Sequence, residues 1–165
     1  MSQIVVYAAG TWDLLHIGHL NIIKAAKALG DVLIIGVKTD ELVHLQRGHY
    51  PLMSYDDRVA VLRSCRYVDM VVPQETVDKD ALLEQMNVDV LVVGSDYWEK
   101  KVLGHKWMVE HGRKVFYLPY TKSRSSTMIR QALKRYYAEQ EESGMPQPPL
   151  AGIAPEPKAT TTENP

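Results

Sequence analysis

Short apolar runs recur along the chain and alternate with segments that have helical periodicity. Three of these runs, 4–8, 32–37 and 88–93, are continuous rather than alternating and are rich in β-branched residues. Two weaker runs, 70–72 and 114–118, have the same character. Continuous apolar runs are typical of strands that are buried on both faces, as in a parallel sheet.

Helical patterns lie between and after these runs. Apolar residues fall along one face of 19–29, and the segment 54–65 opens with a good N-cap residue and an acidic first turn. Three further helices are predicted at 80–86, 102–111 and 125–141. The alternation of strand and helix predicts an α/β domain: a Rossmann-like, open, parallel five-stranded sheet with helices on both faces and right-handed crossovers.

The composition divides the chain into a domain and a tail. The alternation of strands and helices is expected to end near residue 141, so residues 1–141 are predicted to form one domain. Residues 142–165 are rich in Pro and Thr and lack apolar periodicity. Such a segment cannot bury enough apolar surface to order itself, and a disordered tail is predicted there.

Overall charge narrows the range of partners. The 165 residues are 45% hydrophobic and 24% charged, with a formal net charge of −1. This balance gives no electrostatic case for a nucleic-acid or membrane partner. A single cysteine, Cys65, excludes an internal disulfide and fits a reducing compartment, and the apolar stretch 4–9 is too short to span a bilayer. We therefore expect a cytoplasmic protein with small-molecule partners.

The segment after the first strand carries candidate chemistry. His16 and His19 surround Gly18 at the start of the first helix. In open parallel sheets, ligands bind beyond the carboxyl ends of the strands. A glycine there lets a phosphate approach the backbone, and the helix N-terminus offers free N–H groups and a positive dipole end. Two imidazoles can also donate hydrogen bonds to phosphate oxygens whose charge grows in a transition state.

Other interpretations of this segment stay open. Two neighbouring histidines are often structural, and the spacing of Asp13, His16 and His19 is compatible with metal ligands on one helix face. Because Asp13 precedes the helix and no further ligand cluster is evident, no metal-binding residues are predicted. Trp12 either packs in the core or lines a nucleotide pocket, and Asp13 is a candidate anchor of the turn.

A second candidate anion site follows the fifth strand, at 120–130. The hydroxyl residues 125–127 are N-cap types that open the last helix. Basic residues flank them: Lys122, Arg124 and Arg130. An ordinary capped helix with solvated basic residues is the alternative. Because both segments follow strands of one parallel sheet, they are expected at the same edge, where two helix N-termini would hold a polyphosphate.

Together these segments resemble the HxGH nucleotidyltransferase superfamily, and most of all the glycerol-3-phosphate cytidylyltransferases. The likeness runs from about residue 4 to residue 133, and Gly10–His19 is similar to that family's GTFDLLHxGH. Further matches are Thr39-Asp40-Glu41 with STDE, Ser54-Tyr55-Asp56-Asp57-Arg58 with SYEHR, Arg66-Tyr67-Val68-Asp69 with RYVD, and Gly94-Ser95-Asp96 with GDDW.

This resemblance implies a function and roles for individual residues. It implies transfer of CMP from CTP to a small alcohol phosphate with release of pyrophosphate, with Mg²⁺ bound to the nucleotide and a homodimeric enzyme. His16 and His19 would contact the triphosphate, with Arg124 supplying charge nearby. The other residues implied to bind nucleotide or acceptor are Gly10, Thr11, Trp12, Gly18, Arg47, Arg58, Asp96, Thr121, Ser126, Thr127 and Arg130.

One departure from the family pattern leaves the nucleotide open. The cytidylyltransferases have RTEGISTT where this chain has a tyrosine at position 120 and Ser-Ser-Thr at 125–127. The segment 125–130 is instead similar to the SSTxxR ending of nicotinate-mononucleotide adenylyltransferases and FAD synthetases. Adenylyl transfer from ATP to a sugar phosphate, FMN or a related acceptor is therefore the second hypothesis, and a non-catalytic nucleotide-binding module is the third.

Overall fold

The structure, a computed structural model, describes residues 3–94, 103–119, 121 and 125–142. The predictions made for Asp96, Arg124 and the tail from residue 143 onward lie outside these residues. Among the described residues, no helix is long and apolar enough to cross a membrane.

Among the described residues, five parallel strands form one sheet in the order β3-β2-β1-β4-β5. Their bounds are β1 Val5–Gly10, β2 Val32–Lys38, β3 Met70–Gln74, β4 Val90–Gly94 and β5 Lys114–Leu118. All five predicted strands are thus confirmed, with ends shifted by at most two residues. Pro73, which cannot donate to a neighbour, is accommodated because β3 is an edge strand.

In the ranges that the structure describes, six helices accompany the sheet: α1 Ile17–Lys27, α2 Asp40–Arg47, α3 Tyr55–Arg63, α4 Asp80–Gln85, α5 His105–Glu110 and α6 Ser126–Glu142. Five of them match predicted helices. The chain falls into two compact units whose boundary lies within α6, since the first ends at Ile129 and the second begins at Arg130.

Helices cover both faces of the sheet, as predicted. On one face, residues of α1 and α3, such as Ile23 and Leu62, pack on alternate strand residues, such as Leu33 and Ile35. On the other face, Leu83 of α4 and Met108 of α5 pack on the strand residues that point the opposite way: Tyr7, Ile34, Val72 and Leu91. This two-sided burial is the reason that the strands have continuous apolar sequences.

Helix α2 was not predicted. It begins after the N-cap Thr39, whose side chain accepts a hydrogen bond from the Leu42 N–H, and it ends at Gly48, which is left-handed with φ 73°. Only Leu42 and Val43 are buried among its eight residues. An apolar face this narrow gives too weak a periodicity to identify a helix from sequence, although its cap residues were visible.

Candidate active site

The loop between β1 and α1 has a strained backbone. Trp12 and Leu14 have positive φ values of 58° and 50°, which are uncommon for residues other than glycine. Such conformations cost about 1–3 kcal/mol each and persist only where surrounding contacts fix them. Strain of this kind concentrates at functional sites, so the contacts that hold this loop define the candidate site.

Asp13 anchors the loop from within. Its side chain is buried, and the two carboxylate oxygens accept hydrogen bonds from the backbone N–H groups of Leu52 and Met53 at 3.1 and 3.0 Å. The turn-anchoring alternative for Asp13 is what the structure shows. Because both oxygens are engaged with the segment before α3, the carboxylate ties two loops together at the carboxyl edge of the sheet.

Arg58, a residue of α3, also contacts this loop and the segments next to it. It is 1% exposed, and its guanidinium donates to the Thr11 carbonyl at 2.5 Å, to the Met53 carbonyl at 3.3 Å and to Asp40 Oδ1 at 2.5 Å. The sequence hypothesis gave this arginine a contact with acceptor or nucleotide. In the structure its guanidinium contacts protein atoms that hold the loop, so Arg58 positions the loop, and its contact with acceptor or nucleotide stays a prediction.

Trp12 also acts as a packing residue. It is 4% exposed within the core, and its indole Nε1 donates to the Gly36 carbonyl at 3.0 Å. The ring lies so close to Gly10 that a Cβ there would be 3.0 Å from it. The burial of the ring and the hydrogen bond of its N–H group support the interpretation of Trp12 as a packing residue. The ring also contacts His19, with 5.3 Å between the two ring centroids.

His16 caps α1 and is oriented by that role. Its Nδ1 accepts a hydrogen bond from the Gly18 N–H at 3.0 Å. An imidazole that accepts at Nδ1 and is neutral carries its proton on Nε2, so this tautomer presents Nε2 as a donor. Burial lowers the pKa of His16, which favours the neutral form. This contact engages the Gly18 N–H, one of the N–H groups at the start of α1.

His19 stacks on His16, with ring centroids 3.9 Å apart and the rings inclined by 24°. Burial, and secondarily the neighbouring His16, lowers the pKa of His19 to about 4. Its Nδ1 and the Thr11 hydroxyl are both buried without a hydrogen-bond partner in the described part of the chain. Buried polar atoms of this kind cost about 1–3 kcal/mol each, which indicates a site that a polar ligand completes.

The low pKa of His19 predicts loss of stability in acid. The imidazole of His19 has a pKa near 6.5 in the unfolded state and about 4 in the folded state. Between these two pH values the unfolded state therefore binds a proton that the folded state does not bind. We expect stability to be complete above pH 6.5 and to fall by up to about 3 kcal/mol as the pH approaches 4. Urea unfolding of wild type and His19→Gln at several pH values measures this. An equally steep decline in His19→Gln would contradict it.

The N-terminus of α6 lies beside this loop. The Ser126 hydroxyl donates to the Asp13 carbonyl at 2.7 Å, and Ser125 caps the helix through the Met128 N–H. Thr121 Oγ1 accepts a hydrogen bond from the Asn21 side chain of α1 at 3.3 Å. The expectation that the two motifs meet at one edge is thus confirmed for these residues, although the Ser126 hydroxyl hydrogen is directed to the loop.

The family follows from comparison with known proteins. The cytidylyltransferase-like family model matches residues 7–132, which include the loop, both histidines and the start of α6. The chain belongs to the cytidylyltransferase-like family.

Relatives of this cytidylyltransferase-like chain include the glycerol-3-phosphate cytidylyltransferase of Bacillus subtilis (strain 168). It is 38% identical over 135 residues, which are 81% of this chain and 98% of that protein. The ethanolamine-phosphate cytidylyltransferase of Dictyostelium discoideum is 43% identical over 95 residues, 56% of this chain but only 26% of that longer protein. Like these relatives, the chain is a nucleotidyltransferase enzyme.

A solved structure agrees with the fold. The lipopolysaccharide core biosynthesis protein from Thermoplasma volcanium GSS1 superposes with a TM-score of 0.60 at 25% identity. The alignment covers 74% of this chain and all of that one, at 100%. The Rossmann-like sheet of the cytidylyltransferase-like chain is therefore shared with a solved protein.

The remaining residues predicted to bind nucleotide or acceptor in this cytidylyltransferase-like domain are Arg47, Thr127 and Arg130. Arg47 is exposed at the end of α2, and Thr127 is exposed in the first turn of α6. Arg130 is the first residue of the second unit. None of the His, Cys, Asp and Glu side chains in the described ranges form a group of three that could hold a metal ion. Mg²⁺ bound to the nucleotide stays a prediction.

Sequence reasoning missed several residues that shape this cytidylyltransferase-like site. Asp40 pairs with Arg58 and also accepts from the Tyr55 N–H at 3.1 Å. Lys38 ends β2, directly beside the strained loop. Its position just after a buried strand was a usable signal, because ligands bind at the carboxyl ends of parallel strands. Asp40 lies in the Thr39-Asp40-Glu41 match, but its pairing with Arg58 was not predicted, since the two residues are distant in the chain.

Proposed function

We propose that the enzyme transfers CMP from CTP to a small alcohol phosphate similar to glycerol 3-phosphate and releases pyrophosphate. One observation carries the proposal: two stacked histidines at the N-terminus of α1, beside two buried polar atoms, Thr11 Oγ1 and His19 Nδ1, that lack a partner in the described residues. Neutral imidazole donors and a helix N-terminus suit a triphosphate.

The transfer of CMP requires few protein groups other than the two histidines and the N-terminus of α1. An oxygen of the acceptor's phosphate attacks the α-phosphorus, a P–O bond forms, and the bond from the α-phosphorus to the bridging oxygen breaks as pyrophosphate leaves. The acceptor phosphate is already anionic near neutral pH, so no general base is required. The Mg²⁺ that accompanies the triphosphate belongs to the substrate, and the protein supplies position and hydrogen bonds to the growing charge.

The acceptor class is supported by the relatives. Their names specify glycerol 3-phosphate and ethanolamine phosphate, both small phosphorylated alcohols. The chain covers nearly the whole of the Bacillus protein, which favours the single-domain, glycerol-3-phosphate type of reaction. A cytoplasmic location is proposed on the single cysteine. The homodimer implied by the resemblance stays a prediction.

Adenylyl transfer from ATP is the second candidate. The sequence observation that favours it is Ser125-Ser126-Thr127 followed by Arg130, which is similar to the ending of adenylyltransferases. In that case the acceptor would be a sugar phosphate, FMN or a related compound.

The test is pyrophosphate release with Mg²⁺, each of the four NTPs in turn, and glycerol 3-phosphate, ethanolamine phosphate, a sugar phosphate or FMN as acceptor. We expect release with CTP that depends on one of the alcohol phosphates. Release with ATP alone, dependent on a sugar phosphate or FMN, would replace the proposal by the second candidate. Absence of release with every pair would reject both.

A further inference from the structure

Helix α6 is amphipathic, and part of its apolar stripe is exposed. Ile129, Leu133, Tyr136 and Tyr137 follow the spacing i, i+4, i+7 and i+8, which places them along one side of the helix. Leu133 is 41% exposed and Tyr136 is 55% exposed. The rings of Tyr136 and Tyr137 contact each other edge to face, with 5.6 Å between their centroids. Such a stripe gains free energy when a second surface covers it.

The charges of α6 are arranged against its own dipole. The basic residues Arg130, Lys134 and Arg135 all precede the acidic residues Glu139 and Glu142. The first turn has no acidic residue, and the last turn has no basic residue. A helix dipole favours acidic side chains near the N-terminus and basic side chains near the C-terminus. The order of charges is therefore unfavourable for this helix in isolation.

In the described part of the chain, no ion pair compensates this order of charges. None of the ion pairs there includes Lys134, Arg135, Glu139 or Glu142. Arg135 and Glu139 are four residues apart, but a basic residue that precedes an acidic one at this spacing is in the weaker orientation. These side chains suit a partner surface on which the order of charges runs the other way.

A second copy of α6 has the required order when the two helices run antiparallel. The basic part of each helix then lies beside the acidic part of the other, and the two dipoles compensate each other. If Arg135 of one copy faces Glu139 of the other, two-fold symmetry creates the reciprocal pair, and the axis passes near Tyr137. The tyrosines at 136 and 137 of both copies then meet at the centre of the contact, where aromatic residues are enriched in interfaces.

We propose that α6 is a self-association surface on which a second copy of this chain docks its own α6 in the antiparallel direction. The assignment goes beyond the proposed function and does not depend on it. The homodimer implied by the family resemblance leaves the contact surface open, whereas this assignment names one. Because α6 has 17 residues and is about 25 Å long, two such helices bury an area typical of weak interfaces. The dimer is therefore reversible and forms in the micromolar range.

A membrane surface is the other partner that an amphipathic helix can fit, and the charges of α6 argue against it. Helices that lie on membranes are rich in Lys and Arg on their polar face. The polar part of α6 carries acidic as well as basic residues, and the formal net charge of the chain is −1. A second copy matches both signs of charge, whereas an anionic membrane matches one.

The test is analytical sedimentation of the intact chain between about 1 and 300 µM, a range that brackets a weak interface. Leu133→Ala and Tyr136→Ala shorten the apolar stripe. Val109→Ala is the matched control, because Val109 is 57% exposed on α5. Arg135→Glu and Glu139→Arg each reverse one charge, and the chain with both substitutions exchanges the two charges. Thermal unfolding of each variant establishes that it is folded.

We expect wild type to pass from monomer to dimer over this range, with Val109→Ala similar to it. Leu133→Ala and Tyr136→Ala should each raise the dissociation constant by about fivefold or more, because the symmetric contact loses each side chain twice. Arg135→Glu and Glu139→Arg should each raise it by about tenfold, because two attractive contacts become repulsive.

The decisive result is rescue. An equimolar mixture of Arg135→Glu and Glu139→Arg, and the chain that carries both substitutions, should associate as tightly as wild type. In both cases every acidic side chain of the pair again faces a basic one. A variant that is merely damaged cannot be restored by a second variant, so rescue supports the antiparallel contact directly.

Several outcomes would overturn the assignment. A chain that stays monomeric at every concentration is one, and a wild-type dimer that none of the four single substitutions in α6 weakens is another, because its interface would lie elsewhere. Absence of rescue in both the mixture and the doubly substituted chain is a third. Monomeric wild type that sediments with anionic phospholipid vesicles, with this binding lost in Leu133→Ala, would assign the stripe to a membrane surface instead. No substrate enters these measurements, so failure of pyrophosphate release would reject the proposed function and leave this assignment to its own test.

Discussion

Replacing His16 by alanine is expected to lower the rate of pyrophosphate release by about 10²–10³, which corresponds to about 3–4 kcal/mol of lost transition-state stabilisation. The reason is that His16 Nε2 is the donor that the capping contact at Nδ1 leaves available for the triphosphate. CTP affinity should change little, because the effect belongs to charge that develops during the reaction. Initial rates and calorimetric CTP binding measure the two quantities separately.

A second substitution separates the cap from the chemistry. His16→Ala also removes the N-cap acceptor for the Gly18 N–H, which costs about 0.5–2 kcal/mol of stability. Asparagine is a good N-cap residue, so His16→Asn should restore stability while leaving the rate low. Near-normal turnover in His16→Asn would show that His16 acts through the helix cap alone, and it would remove this histidine from the catalytic machinery.

His19 is expected to behave similarly to His16 in turnover but differently in stability. His19→Ala should lower the rate by about 10²–10³. Because His19 does not cap the helix and its buried Nδ1 lacks a partner in the described residues, replacing it by glutamine should also reduce the loss of stability in acid. A rate close to that of wild type in His19→Ala would defeat its assignment to the triphosphate.

The fold could be predicted from the sequence because strands that are buried on both faces have continuous apolar sequences. β2 is Val-Leu-Ile-Ile-Gly-Val-Lys, with five consecutive buried residues, and such a run has few alternatives to a central parallel strand. The same argument fails for α2, where two buried residues out of eight leave no periodic signal. The order of the strands is not a local property, and the sequence alone did not predict that β1 lies between β2 and β4.

The site was predictable only where function depends on a local motif. His16, Gly18 and His19 are close in sequence, and their place after a strand and at a helix start was sufficient to locate them. The contacts that fix the loop are long-range: Asp13 with Leu52 and Met53, and Ser126 with the Asp13 carbonyl. No spacing rule reveals such partners, so the contacts of Arg58 with the Thr11 and Met53 carbonyls and with Asp40 were not predicted.

Arg58 carries the largest expected effect on stability. Arg58→Met removes three hydrogen bonds and leaves the Thr11 and Met53 carbonyls and one Asp40 oxygen without this donor. Breaking a buried pair of this kind costs about 3–5 kcal/mol, and the lower end applies because the Asp40 side chain is 27% exposed and therefore partly screened by water. We expect the free energy of unfolding to fall by about 3 kcal/mol, as measured by urea denaturation.

The same substitution should lower turnover, because Arg58 is one of the contacts that keep Trp12 and Leu14 in their strained conformations. Without the bond to the Thr11 carbonyl the loop can relax, and the histidines that follow it lose their position. Arg63→Met is the matched control: Arg63 is exposed in the last turn of the same helix, where a charge contributes less than about 1 kcal/mol. An Arg58→Met enzyme of wild-type stability with a raised KM for either substrate would instead return Arg58 to the role of a ligand-binding residue. Loss of stability and turnover together, with Arg63→Met near wild type, would establish that the guanidinium acts through the loop.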